Sequence, residues 1–137
     1  MRFELPDRKK LVYEMTLPIR WGDMDAMRHV NNTVYLRYFE TLRIEWMQSI
    51  GAAPDPDGEG PVIVNIFCNF IKQLEFPGTV FARHYVANPG RSSFDTYMTL
   101  EREDDPGTMY ASGGATIVWV RSRQSIPLPD SLRALLE

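Results

Sequence analysis

Apolar residues recur along this chain with two different periods. Tyr35, Tyr38, Phe39, Leu42, Trp46 and Ile50 fall at three- and four-residue intervals, while Arg37, Glu40, Thr41, Glu45 and Gln48 fall between them. That spacing predicts a long amphipathic helix laid against an apolar surface. Asn31 and Asn32 precede it, and either side chain can accept a hydrogen bond from a free N–H of the first turn; Gly51 suits the end.

Elsewhere the period is two. Tyr13, Met15, Leu17, Ile19 and Trp21 alternate with Val12, Glu14, Thr16, Pro18 and Arg20, which predicts a half-buried strand. Pro18 lacks a ladder donor and implies an edge position or a strand that starts late. Residues 51–60, rich in Pro, Asp and Gly, read as a surface loop. Residues 61–74 form the longest apolar run and predict a central strand with rows Val62, Val64, Ile66, Cys68, Phe70 and Ile63, Asn65, Phe67, Asn69, Ile71. Its two amides need partners if buried, so they serve a site, an interface or backbone groups. Further strands are expected over residues 79–87, 93–102 and 108–121, separated by turns at Pro77-Gly78, Asn88-Pro89-Gly90 and Pro106-Gly107. Gly113-Gly114 suggests a bulge or a close approach by another group. Asp130 is expected to cap a short terminal helix carrying Leu132, Leu135 and Leu136.

Strands joined by tight turns pair antiparallel, so the order predicts an α+β fold: a five-stranded antiparallel sheet with one long helix against it. The 137 residues suit one domain spanning 1–137. A net charge of -3 without a run of like charges gives no support to nucleic-acid binding. No apolar run is long enough to cross a membrane, and the first residues lack the apolar segment of a secretory signal, so a cytoplasmic protein is expected. Cys68 is the only cysteine, which offers no disulfide or zinc cluster and reads as packing.

The chemistry concentrates just before the helix, where Asp23, Asp25 and His29 stand within a few residues of its first N–H groups. A helix N-terminus can polarise a carbonyl and stabilise an oxyanion, and a carboxylate beside it can act as base or nucleophile. Acidic residues at this place also serve as caps and solvated charge, so spacing alone leaves both readings open. His29 reads as a group that fixes the loop. His84 lies alone in a strand.

The run Arg20-Trp21-Gly22-Asp23-Met24-Asp25-Ala26-Met27-Arg28-His29-Val30-Asn31-Asn32, followed by Tyr35-Leu36-Arg37-Tyr38-Phe39-Glu40, resembles the hotdog-fold acyl-CoA thioesterases of the hydroxybenzoyl-CoA thioesterase type. Gly90-Arg91-Ser92-Ser93-Phe94 and Ile126-Pro127-Leu128-Pro129 are similar to that family at the matching places. The resemblance implies a hotdog fold with its sheet wrapped around the long helix, and hydrolysis of an acyl-CoA to free acid and CoA. It places the catalytic acid on Asp25 and the oxyanion contact on the backbone N–H of Asn32. Asp23, His29 and Asn31 take supporting places, and Arg91, Ser93 and Arg123 are candidates for CoA. It implies a homodimer or homotetramer, with no metal and no bound cofactor. The family usually has Gly where this chain has Arg28. Alternative readings are a non-catalytic module that binds acyl-CoA or an acyl-carrier protein, and a hotdog dehydratase.

Overall fold

A computed structural model describes residues 1–137. The chain runs through β1 (Lys10–Ile19), α1 (Asn32–Ser49), β2 (Glu59–Phe70), β3 (Gly78–Ala87), β4 (Ser93–Arg102), β5 (Ala111–Arg121), a two-residue β6 (Gln124–Ser125) and α2 (Asp130–Leu136). The strands lie in the order β1-β3-β4-β5-β2, every neighbouring pair antiparallel, with β6 added to β5. α1 thus carries the chain from one edge of the sheet to the other. This is the α+β hotdog arrangement that the resemblance implies.

The helical stripe does what its spacing predicts. Tyr35, Tyr38, Phe39 and Leu42 pack on Leu17 and Ile19 of β1, Val80 and Ala82 of β3, and Met98 and Leu100 of β4. Further along, Trp46 and Met47 meet Val86, Phe94, Ile117 and Trp119, with Leu128, Leu132 and Leu136 closing the same cluster from the C-terminal side. Burial of such side chains supplies about 1.5–3 kcal/mol each. At Gly113 a side chain of the helix comes close onto the sheet: a Cβ there would collide with the Phe39 ring and lie 2.6 Å from the Phe67 carbonyl oxygen. The glycine pair therefore marks a close approach, and the register runs through it without a bulge.

Asn31 is the cap of α1, its side chain accepting from Thr33 N–H at 2.9 Å, and Gly51 follows the helix at φ 74°. Pro18 sits on β1, an edge strand, as its missing donor allows.

Several expectations need correction. β2 is an edge strand, not a central one. It ends at Phe70, and Val62, Val64, Ile66 and Phe70 stay exposed. A bulge between Ile63 and Asn65 also reverses its phase: Ile63 joins Ile66, Cys68 and Phe70 on the helix side, and Val62 moves to the other face with Asn65, Phe67 and Asn69. The apolar row continuous in sequence is therefore split in space. Both amides satisfy backbone groups: Asn65 accepts from Thr116 N–H at 3.0 Å, and Asn69 both accepts from and donates to the Phe3 backbone. Trp21 lies beyond β1 in a short 3-10 turn (Trp21–Asp23) and is 78 % exposed. The last strand starts at Ala111, three residues later than its pattern suggests. Asp130 is the first residue of α2 and makes no side-chain cap.

Candidate active site

The loop between β1 and α1 is a tight hairpin with Asp25 at its base. Met24 and Val30 form an antiparallel bridge, Asp25 N–H donates to the His29 carbonyl at 2.8 Å, and Arg28 N–H donates back to the Asp25 carbonyl at 3.0 Å. Three-residue hairpins of this kind turn through a residue in the left-handed region, where glycine is the usual occupant. Here that residue is Arg28, at φ 63°. Holding a side-chain-bearing residue there costs on the order of 1–3 kcal/mol, which the surrounding hydrogen bonds offset.

Within the hairpin, Asp25 Oδ1 accepts from Met27 N–H at 2.8 Å and from His29 N–H at 3.4 Å. Oδ2 has no partner in the chain and is free to act on another molecule. Asp23 does different work. Its carboxylate accepts from Arg20 N–H at 2.8 Å and from the Tyr38 hydroxyl at 3.1 Å, while its carbonyl accepts from Asn31 N–H at 2.9 Å. It thereby ties the acidic loop to the first turns of α1. Burial, with the Asp23 charge beside it, pushes the Tyr38 hydroxyl well above its ordinary value, so it stays a donor.

Helix geometry leaves the first N–H groups without intrahelical partners. Asn31 satisfies Thr33 through its side chain and Val34 through its carbonyl, but nothing in the chain accepts from Asn32 N–H, and Asn32 is exposed. A donor with the helix dipole behind it therefore remains available at the start of α1, seven residues along the chain from Asp25, although Asn32 is not among the residues that line the cleft holding Asp25.

The second wall comes from the β2–β3 loop. Leu74 accepts from Val30 N–H at 2.8 Å and donates to the Tyr35 hydroxyl at 3.3 Å, while His29 Nε2 lies 3.6 Å from Glu75 Oε1. His29 thus fixes the loop through its backbone, its carbonyl accepting from Asp25 N–H and its N–H donating to Asp25 Oδ1. Between the two loops opens a cleft of about 550 Å³ lined by Trp21, Gly22, Met24, Asp25, Arg28, Glu75 and Phe76. Glu75 and Phe76 are contributions that sequence reasoning missed: their stretch reads only as a turn, and no local pattern joins it to residues fifty positions earlier.

Arg91, Ser93 and Arg123 lie elsewhere. Asp25 is at the end of the sheet where Ile19 pairs with Gly78, whereas Ser93 opens β4 opposite Val118, and Arg123 turns between β5 and β6. Roughly ten residues of strand separate the two ends, on the order of 30 Å. One chain does not bring these three to Asp25. Arg91 donates to Ser92 Oγ at 3.0 Å, and Arg123 sits at φ 65° on the rim of a separate cleft with Pro54 and Asp55.

The remaining reactive side chains are packed away. His84 has no exposed surface and no hydrogen-bond partner, and burial, with the Arg43 guanidinium nearby, holds its imidazole down to about 3. Burial pushes the Cys68 thiol up to about 12, which leaves it a packing group rather than a nucleophile. No three His, Cys, Asp or Glu side chains gather closely enough to hold a metal ion, and no helix is long and apolar enough to cross a membrane.

Comparison with known proteins bears on the family and the fold. A family described as the thioesterase-like superfamily matches residues 19–136. Among solved structures, a proposed thioesterase from Pseudomonas aeruginosa is 36% identical, covering 93% of this chain and 100% of its own, with a TM-score of 0.89. A proposed acyl-CoA thioesterase from Xanthomonas campestris is 28% identical over 87% of this chain and 100% of its own, with a TM-score of 0.79. A DHNA-CoA thioesterase from Staphylococcus aureus, 16% identical, covers 84% of this chain and 78% of its own; its TM-score of 0.73 speaks to the fold alone. No curated protein matches the chain.

Proposed function

The chain belongs to the thioesterase-like superfamily, and we propose that it hydrolyses the thioester of an acyl-CoA, as its resemblance to the hydroxybenzoyl-CoA thioesterase type implies. The observation that carries this reading is Asp25: one carboxylate oxygen is held by hairpin N–H groups, the other is unpartnered, and the residue lines the cleft between the loop before α1 and the β2–β3 loop.

In this mechanism the thioester carbonyl oxygen points at Asn32 N–H and the start of α1, which stabilise the negative charge that develops as the carbonyl carbon becomes tetrahedral. Asp25 either adds to that carbon itself or takes a proton from a water that does. The C–S bond breaks, the sulfur leaves as CoA thiolate and gains a proton, and water supplies the second oxygen of the acid. Asp23 keeps the loop in place through Tyr38 and Asn31. The dehydratase alternative relies on a histidine with an acidic partner at the site; His84 is sealed in the core, and His29, 3.6 Å from Glu75, is not among the residues that line the cleft.

We further propose a homodimer, formed through β2, within which this single hotdog domain works. β2 presents an unpaired edge with exposed Val62, Val64, Ile66 and Phe70, a template for another strand. Antiparallel pairing of two such edges about a twofold axis lays the start of one β2 beside the end of the other. The partner's Arg91, Ser93 and Arg123 then come to the side of the sheet that holds Asp25, where they can meet the CoA phosphates.

The test is thiol release from a panel of acyl-CoA esters by the parent and by Asp25→Asn, which preserves shape and removes the charge. Loss of a catalytic acid or base costs on the order of 10²–10⁴ in rate. A folded Asp25→Asn protein that keeps near-parental turnover on every ester the parent cleaves would remove Asp25 from the mechanism.

A further inference from the structure

The position that turns the acidic hairpin holds an arginine, where both the geometry and the resemblance lead one to expect glycine. Arg28 sits at φ 63° and lines the same cleft as Asp25. A strained residue at a site is an observation from which function can be argued. The second observation is that its charge is unspent. Arg37, Arg83, Arg102 and Arg121 each hold an acidic partner; Arg28, like the other arginines, holds none, and it alone among them lines the cleft with Asp25 and Glu75. Two carboxylates in a small cleft repel an anion; a free guanidinium on the same wall reverses that locally and offers a planar fork suited to a carboxylate.

Distance settles which part of a substrate it can read. Arg28 N–H donates to the Asp25 carbonyl, so the two residues are the ends of one four-residue turn, and such ends lie within about 7 Å. A thioester placed at Asp25 therefore puts its acyl group within reach of the arginine, while the pantetheine arm carries the CoA phosphates many bonds further away. We propose that Arg28 is a specificity residue that selects acyl thioesters bearing a carboxylate on the acyl chain over neutral ones of similar length. This rests on the thioesterase reading above and adds the substrate class to it.

The experiment compares glutaryl and pentanoyl thioesters, each on CoA and on N-acetylcysteamine, which has no phosphate. The proteins are the parent, Arg28→Gly, Arg28→Asn and Arg28→Lys. Gly and Asn both tolerate the left-handed conformation, so neither change strains the hairpin. The expected result is a fall of roughly 10–100-fold in the glutaryl-to-pentanoyl ratio of kcat/KM for Gly and Asn, on both carriers, as suits the loss of a charge-assisted hydrogen bond. Arg28→Lys should retain part of the preference. A ratio that Gly and Asn leave unchanged overturns the proposal, as does a loss shared by both acyl groups on CoA and missing on N-acetylcysteamine, which would assign Arg28 to phosphate. In either case the parent still cleaves thioesters and the thioesterase reading stands. Release of no thiol by the parent from any of the four esters overturns both.

Discussion

His84 is wholly enclosed between β3 and α1, with Tyr13 beside it on β1, the Trp46 ring edge-on at 4.9 Å and the Arg43 guanidinium nearby. Neither ring nitrogen has a partner, and Arg43 Nη1 is likewise buried without one. The unfolded chain takes up a proton on this residue near 6.5 and the folded chain only near 3. Between those values the unfolded state binds more protons, so its stability contribution is complete above 6.5 and is lost as pH falls, by about 1.4 kcal/mol per pH unit. Replacing His84 with Met removes two unsatisfied nitrogens and keeps an apolar filling, which should leave stability at pH 7 equal or higher. Urea unfolding at pH 7 and pH 5 checks this: the parent should lose about 2 kcal/mol more than His84→Met between the two. An equal loss would mean that His84 is already paired in solution. Nothing in the sequence around His84 announces this burial, because its odd place in the apolar row of β3 is as consistent with a site as with a core.

Among the elements, α1 and β4 were the most legible. A stripe at helical spacing states its own partner surface, and β4 alternates from Ser93 to Met98. β2 misled for a physical reason: an apolar run reports how much surface needs cover, not whether the cover comes from the same chain. Its bulge at Val64 was equally silent, since Val62, Ile63 and Val64 are all apolar and either phase suits that run. Of the site, the acidic hairpin could be read from local residues, while the β2–β3 loop that faces it could not. That loop is held at a distance by Arg102, which donates to the Glu75 carbonyl at 2.7 Å and the Pro77 carbonyl at 2.8 Å and is itself gripped by Asp104. Arg102→Ala should therefore loosen the cleft wall and destabilise the fold by about 2 kcal/mol, the size of a lost hydrogen bond to a charged group. Chemical denaturation measures the stability, and faster hydrogen exchange at Phe76 than in the parent would locate the effect. Unchanged exchange there would show that the loop keeps its shape without the arginine.

For the molecule as a whole, the governing feature is that the acidic hairpin and the Arg91–Arg123 end stand at opposite ends of one sheet. If two chains pair through β2, each working centre is assembled from halves that belong to different polypeptides. Defects in the two halves then become complementary in the geneticist's sense. Asp25→Asn chains and chains carrying Arg91→Ala with Arg123→Ala would each be poor as homodimers. Unfolded together and refolded as an equal mixture, half the dimers should be hybrids, each with one intact centre and one doubly damaged one. Recovery of about a quarter of parental activity from two nearly dead proteins is the expected yield, and no recovery would mean that each polypeptide carries its whole centre alone.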